Sequence, residues 1–179
     1  MANRDEKEKA LIKEIESLRQ RVVELEHCQK ERERTEEKYR NIYENAMEGI
    51  FQVAPDGHFI SANPSLANIH GYGSPEEFIK NVKTIRSIYV NPDDHHRLIN
   101  LLFDQGAVRN YEAKMYHKDG SQKWISVNVR LVRDAQAKPL FYEGTMMDIT
   151  NRKMAKDAAR RDPGKPPALE KGTEPFIHP

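Results

Sequence analysis

The stretch Gly49-Ile50-Phe51-Gln52-Val53-Ala54-Pro55-Asp56-Gly57-His58-Phe59-Ile60-Ser61-Ala62-Asn63-Pro64 decides the fold. Residues 49–53 and 58–62 are rich in β-branched and aromatic side chains, and Pro55-Asp56-Gly57 between them is a turn signal. The pair therefore reads as a β-hairpin. Asn63-Pro64 then opens a helix, because asparagine is a good N-cap and proline at the first helical position gives up no hydrogen bond. Leu66 and Ile69 are its apolar residues, and Gly71 stops it. Ser74-Pro75 repeats the device, with Glu77 at the capping-box position. Asn91-Pro92-Asp93-Asp94 starts a longer helix carrying Leu98, Ile99, Leu101, Leu102 and Phe103, ended near Gly106.

Downstream the period returns to two. Residues 110–117 place Tyr111, Ala113 and Met115 on one face and Glu112 and Lys114 on the other, before the turn Lys118-Asp119-Gly120. The next strand alternates Ile125, Val127, Val129 and Leu131 with Ser126, Asn128 and Arg130, so one face is buried. The last strand, 140–149, is apolar on both faces except at Glu143, and something is expected to pack on its outer side. Two strands, helices and three strands make an α+β domain: a five-stranded antiparallel sheet with its helices on one face. A small ligand would sit in the concave space between the two layers.

Upstream of the domain the chain changes character. More than half of residues 1–40 are charged, with no proline or glycine, which reads as one long helix. Leu11, Ile15, Leu18, Val22 and Leu25 are spaced 4, 3, 4 and 3, a heptad seam with leucine at d and β-branched residues at a. That combination favours a parallel two-stranded coiled coil. Glu14 would face Arg19 of the partner subunit, and Arg21 would face Glu26 of the partner subunit, both pairs of opposite sign. The seam turns polar at Gln29, Arg32 and Glu36, then regains bulk at Tyr39 and Tyr43. The alternative is a single solvated helix with one apolar stripe. If the coil forms, the polar stretch is where strain could pass between coil and domain.

The 179 residues carry 29 Lys+Arg against 28 Asp+Glu, which argues against a dedicated nucleic-acid binder. No apolar run approaches 18 residues and no signal-peptide pattern is present, so no membrane insertion is expected. A lone cysteine, Cys28, suits a cytoplasmic chain. Nothing resembles a nucleophile–base set, a phosphate loop or a metal-ligand cluster, so neither catalytic residues nor a metal site are expected.

Several motifs in order resemble a PAS domain: Tyr39-Arg40-Asn41-Ile42-Tyr43-Glu44-Asn45-Ala46 with Gly49-Ile50-Phe51, Asp56-Gly57, Asn63-Pro64, His70-Gly71-Tyr72, Asn91-Pro92-Asp93-Asp94, Lys118-Asp119-Gly120 with Trp124, and Asp148-Ile149-Thr150 before Asn151-Arg152-Lys153. The expected organisation is a coiled-coil dimerisation helix at 1–38, a PAS domain at 39–152, an exit helix at 153–161 and a flexible tail at 162–179. The resemblance implies a sensory or relay module of bacterial type, as in two-component systems, working as a homodimer and coupled to a histidine kinase or diguanylate cyclase output. Arg160-Arg161-Asp162-Pro163 resembles the start of a diguanylate cyclase domain, but Gly164-Lys165-Pro166 departs from that pattern at once. The resemblance also implies a signal junction at Trp124, Asp148, Thr150 and Arg152, with Asp148 paired to Arg152 or Lys153 and Thr150 capping the exit helix.

The inward positions are Phe51, Val53, Leu66, Ile69, Leu98, Tyr111, Ala113, Ile125, Val127 and Met146; they either fill a core or line a ligand pocket. PAS domains hold haem, flavins, organic acids, divalent cations or nothing. A flavin is not expected, because photosensory members need a cysteine that 84–91 lacks, and Ile125 and Met146 stand where amides would face the ring. Haem is not expected either: His95 and His96 read as solvated first-turn residues, and neighbours on a helix point too far apart to chelate one metal. Arg86 is the nearest candidate for recruiting a carboxylate. The alternative function is a ligand-free dimerisation or protein-interaction scaffold.

Overall fold

The computed structural model describes residues 2–161; side chains at 2–12, 15, 17 and 161 lie outside the described residues. Leu11 and Ile15 of the expected seam are among those side chains, and the expected flexible tail, 162–179, lies outside altogether. The chain divides into two units, one ending at Asn45 and one beginning at Ala46. The first is a single helix, α1 (Ala2–Glu44). Along it Leu18, Val22 and Leu25 are 56%, 52% and 64% exposed, so this part of the stripe stays open on one chain.

The second unit runs β1 (Gly49–Val53), β2 (Phe59–Ala62), α2 (Pro64–Ile69), α3 (Pro75–Asn81), a 3₁₀ turn (Ile85–Ile88), α4 (Pro92–Gln105), β3 (Ala107–Tyr116), β4 (Gln122–Arg133), β5 (Pro139–Asp148) and α5 (Thr150–Arg161). The strands form one sheet in the order β2-β1-β5-β4-β3, all neighbours antiparallel. The hairpin and the three later strands thus join through β1 and β5, which no local signal specifies. α2 packs on β1, α3 on β2, and α4 on β3 and β4.

Local chemistry explains the helix starts. Asn63 is fully buried; its Oδ1 accepts from Leu66 N at 2.9 Å and Ile50 N at 2.8 Å, while its Nδ2 donates to Glu48 O at 2.9 Å. One amide therefore caps α2 and fixes the start of β1, which an aspartate could not do because it lacks the donor. Ser74 caps α3 by accepting from Glu77 N, but the Glu77 carboxylate reaches Gly73 N rather than completing a capping box on Ser74. Asn91 accepts from Asp93 N at the start of α4, and Gly106, with φ 76°, ends it.

β3 begins three residues before the expected 110, because a register shift between Val108 and Tyr111, with Asn110 at φ 53°, lets Val108 reach the core. On the outer face of the sheet Glu143 is not isolated: Gln52 Nε2 donates to it at 3.2 Å and Arg130 Nε at 2.7 Å. Leu140 and Met147 are 51% and 47% exposed, so the outer cover expected for β5 does not reach them.

Candidate functional site

The inner face of the sheet has two ends, and only one is filled. At the filled end Leu66, Ala113, Met115, Ile125 and Met146 are all at most 1% exposed. α2 lies so close on β1 that a Cβ at Gly49 would come within 2.8 Å of Leu66. Phe78 of α3 is the hub of an aromatic group, 4.8 Å from Phe59 edge to face and 5.4 Å from His70 in a stack.

At the other end a cavity of about 500 Å³ lies between the sheet and the segment from the 3₁₀ turn through α4. Phe51, Val53, Val127, Val129 and Tyr142 form its floor, with Leu98, Ile99 and Leu102 from α4 opposite. Tyr89, His95, Arg86, Thr84 and Asp56 supply the polar part of the wall. A space of this size is within the range that holds a small organic ligand.

Of the ten inward positions singled out from sequence, Phe51, Val53, Leu98 and Val127 line this cavity. Leu66, Ile69, Ala113, Ile125 and Met146 do not; they pack in the core cluster where α2 and Met115 leave no room. Tyr111 is diverted too, since its hydroxyl donates to Asp94 O at 2.7 Å and ties β3 to the first turn of α4. Ile125 and Met146 therefore carry no information about a flavin, being walled off from the space a ligand would fill.

His95 corrects the expectation of a solvated residue. It lines the cavity with Nδ1 buried and no hydrogen-bond partner. Burial, followed by the nearby His96 and Arg86, holds its pKa below the ordinary imidazole value. A signal was available, because His95, Leu98, Ile99 and Leu102 are spaced i, i+3, i+4, i+7 and share one helix face. Tyr89, 3% exposed, has its hydroxyl buried without a partner, and burial pushes its pKa up. Among the described residues no group of three or more His, Cys, Asp or Glu converges as a metal site.

The exit junction is built differently from the expected ion pair. Asp148 Oδ2 lies 3.0 Å from Lys123 Nζ, and its Oδ1 accepts from Thr150 N at 2.9 Å. Burial opposes ionisation of Asp148, yet the bonds from Thr150 and Lys123 outweigh it and hold its pKa below the usual carboxylate value. Arg152 and Lys153 turn instead to Glu112 on β3. They lie on the first turn of α5, whose backbone places them over β3 and β4, whereas Asp148 is the last residue of β5 and is used in starting the helix. Thr150 does not cap α5 with its hydroxyl, which accepts from Trp124 N at 3.0 Å. Ile149 N donates to Trp124 O at 2.8 Å, and Lys153 Nζ stands 4.8 Å from the centre of the Trp124 ring. Trp124 thus holds the start of α5 by backbone and ring together, and Glu112 and Lys123 are junction residues that local pattern did not single out.

The antiparallel 2-1-5-4-3 sheet, the three capped helices and the cavity beneath α4 make up an α+β fold with room for a small molecule. A family model described as "PAS domain" matches residues 47–151, more than half of the chain, and the chain belongs to the PAS domain family. It is 25% identical over 123 residues to the sensor histidine kinase TmoS of Ectopseudomonas mendocina, a match covering 69% of this chain and 13% of that protein. The chain thus spans a small fraction of the length of this relative. The PAS domain of a protein from Colwellia psychrerythraea superposes with a TM-score of 0.57 at 24% identity, over 65% of this chain and 98% of that one. A sensory box histidine kinase/response regulator from Burkholderia thailandensis E264 gives a TM-score of 0.51 at 22% identity, over 70% and 95%. PAS domains of this kind occur in histidine kinases and other signalling proteins. No helix among the described residues is long and apolar enough to cross a membrane.

Proposed function

We propose that the chain is a non-enzymatic sensory relay module of a cytoplasmic signalling protein, in which cavity occupancy is read out through the exit helix. One observation carries this reading: β4 serves both sites. Val127 and Val129 form part of the cavity floor, while Trp124 on the same strand holds the first turn of α5. A ligand that shifts β4 by a fraction of an ångström acts on the helix start directly, since a packed core transmits small displacements. The output is a histidine kinase, as in the relative TmoS, or a diguanylate cyclase. Residues 1–38 pair two copies through Leu11, Ile15, Leu18, Val22 and Leu25, with Tyr39 and Tyr43 leading into the domain. The exit helix is α5 (Thr150–Arg161), which starts three residues before the expected 153.

Native mass spectrometry of freshly purified chain tests both parts. A dimer carrying a small-molecule mass is expected. A clean apo dimer, together with hydrogen exchange in residues 150–161 that Val129→Phe leaves unaltered, would favour a ligand-free scaffold. Leu18→Glu is expected to give a monomer in analytical ultracentrifugation, and an unchanged dimer would assign the pairing to other surfaces.

A further inference from the structure

Two consecutive residues of β3 reach two different helices. Tyr111 and Glu112 project to opposite faces of the sheet, because side chains alternate along a strand. On the inner face the Tyr111 hydroxyl donates to Asp94 O at 2.7 Å, at the start of α4. On the outer face Glu112 accepts from Arg152 Nη2 at 2.7 Å and also pairs with Lys153 Nζ, both on the first turn of α5. A single peptide bond therefore separates the anchor of α4 from the anchor of the exit helix.

The surroundings make these contacts a tether. The C-terminal end of α4 is fixed to the sheet by the chain itself: it runs through Gly106 into β3, and Gly106 O accepts from Leu131 N at 2.9 Å. Its N-terminal end meets the same strand again at Tyr111. In an α-helix the Asp94 carbonyl is also the acceptor for Leu98 N, four residues on, and Leu98 lines the cavity. β3 is an edge strand paired with β4, and its other side meets the chain at the bridge between Tyr89 and Met115. It carries an irregularity immediately before Tyr111, where Asn110 has φ 53° and its N–H donates to Asn128 Oδ1 at 2.8 Å. A bulge on an edge strand bends it locally and re-aims the side chain that follows. Here that side chain is Tyr111.

We propose that Tyr111 is a positioning residue of the exit junction: its hydroxyl couples the N-terminal end of α4 to Glu112, and Glu112 passes that position to the first turn of α5. The inference rests on the reading of α5 as the output element, and it adds a route through β3 to the one through β4. Displacement of the first turn of α4 either draws Tyr111 with it or breaks the hydrogen bond. Either event shifts the neighbouring carboxylate, on which Arg152 and Lys153 both depend. The strength of the contacts suits adjustment. One hydrogen bond and one partly exposed carboxylate are each worth little, so the tether slips without unfolding the domain.

Hydrogen exchange of the full chain tests this with Tyr111→Phe, Glu112→Gln and the two combined. Tyr111→Phe keeps the ring and removes only the hydroxyl. It is expected to raise exchange about twofold to tenfold in residues 92–98 and at least about twofold in residues 150–161. Glu112→Gln is expected to raise exchange in 150–161 directly. The double variant should match Glu112→Gln there, because the effect of Tyr111 passes through Glu112. A merely structural tyrosine does not produce that non-additivity. Effects that multiply in 150–161, a Tyr111→Phe effect confined to 92–98, or a rise spread evenly over the domain with residues 64–70 included, would each overturn the tether. Val129→Phe is the reference for the route through β4. If it shifts exchange in 150–161 and Tyr111→Phe does not, the tether falls and the sensory relay stands; if neither does, both fall.

Discussion

The two ends of the sheet's inner face use the same strands and reach opposite results. At one end Ile125 and Met146 are completely buried under α2 and its neighbours; at the other, Val127 and Val129 floor a cavity of about 500 Å³. Each end also carries a histidine with one unpartnered buried nitrogen, His70 Nε2 and His95 Nδ1. The difference lies in how the helices land. Gly49 lets α2 settle directly on β1, whereas the 3₁₀ turn and α4 leave a space above the floor, lined on their side by Tyr89, His95 and Leu98. Strand alternation decides which side is apolar, and helix height decides whether that side is packed or hollow.

Truncation should separate the ends most sharply. Leu66→Ala, at a site with 0% exposure, is expected to cost about 2–5 kcal/mol in urea denaturation. Val129→Ala, bordering open space, should cost about 1 kcal/mol or less, because fewer contacts are lost. Equal costs would mean that the cavity end is as tightly packed as the other.

Acid should act on the filled end next. His70 Nδ1 donates to Tyr116 O at 3.1 Å, so protonation places a new N–H on buried Nε2 with no acceptor. Burial lowers its pKa from 6.5 to about 4. The folded value lies below the unfolded one, so this contribution to stability is complete above pH 6.5 and is lost as pH falls from there to about 4. The full loss is about 3 kcal/mol. His70→Asn, whose amide can keep the bond to Tyr116, should flatten the stability–pH curve over that window. An unchanged slope would assign acid sensitivity elsewhere.

Overpacking reverses the logic of truncation. Ala113→Val at the filled end is expected to cost about 1–3 kcal/mol, whereas Val129→Leu, with room beside it, should cost less than about 1 kcal/mol. Thermal melts of the two variants compare them directly.

The smallest effect concerns the junction. Glu112→Ala removes the carboxylate shared by Arg152 and Lys153 and should cost about 1 kcal/mol or less, as for partly exposed pairs. Hydrogen exchange in residues 150–161 should nonetheless rise, and rise more than in Lys123→Ala. If Lys123→Ala loosens the helix more, Asp148 rather than Glu112 is the main restraint.

Much of this architecture was legible in local chemistry. Asn63-Pro64, Ser74-Pro75 and Asn91-Pro92 mark their helix starts because a side-chain oxygen beside a donor-free proline has few other uses. The alternations at 111–115 and 125–131 mark the buried face because successive Cβ atoms point to opposite sides. Site positions were harder to read. Six of the ten inward residues proved to be core or tether, and His95, Tyr89, Glu112 and Lys123 gained their roles from neighbours far away in sequence.

The sequence alone determined the elements, their order and which face of each strand turns inward, since capping and alternation act within a few residues. Tertiary structure alone decided that β1 and β5 join the two halves of the sheet, that α2 closes one end and α4 leaves the other open, and that Arg152 and Lys153 meet Glu112 rather than Asp148. Those outcomes depend on the height and angle at which packed layers settle. Packing at that scale is set by side chains from many segments at once, and no window of the chain contains them all.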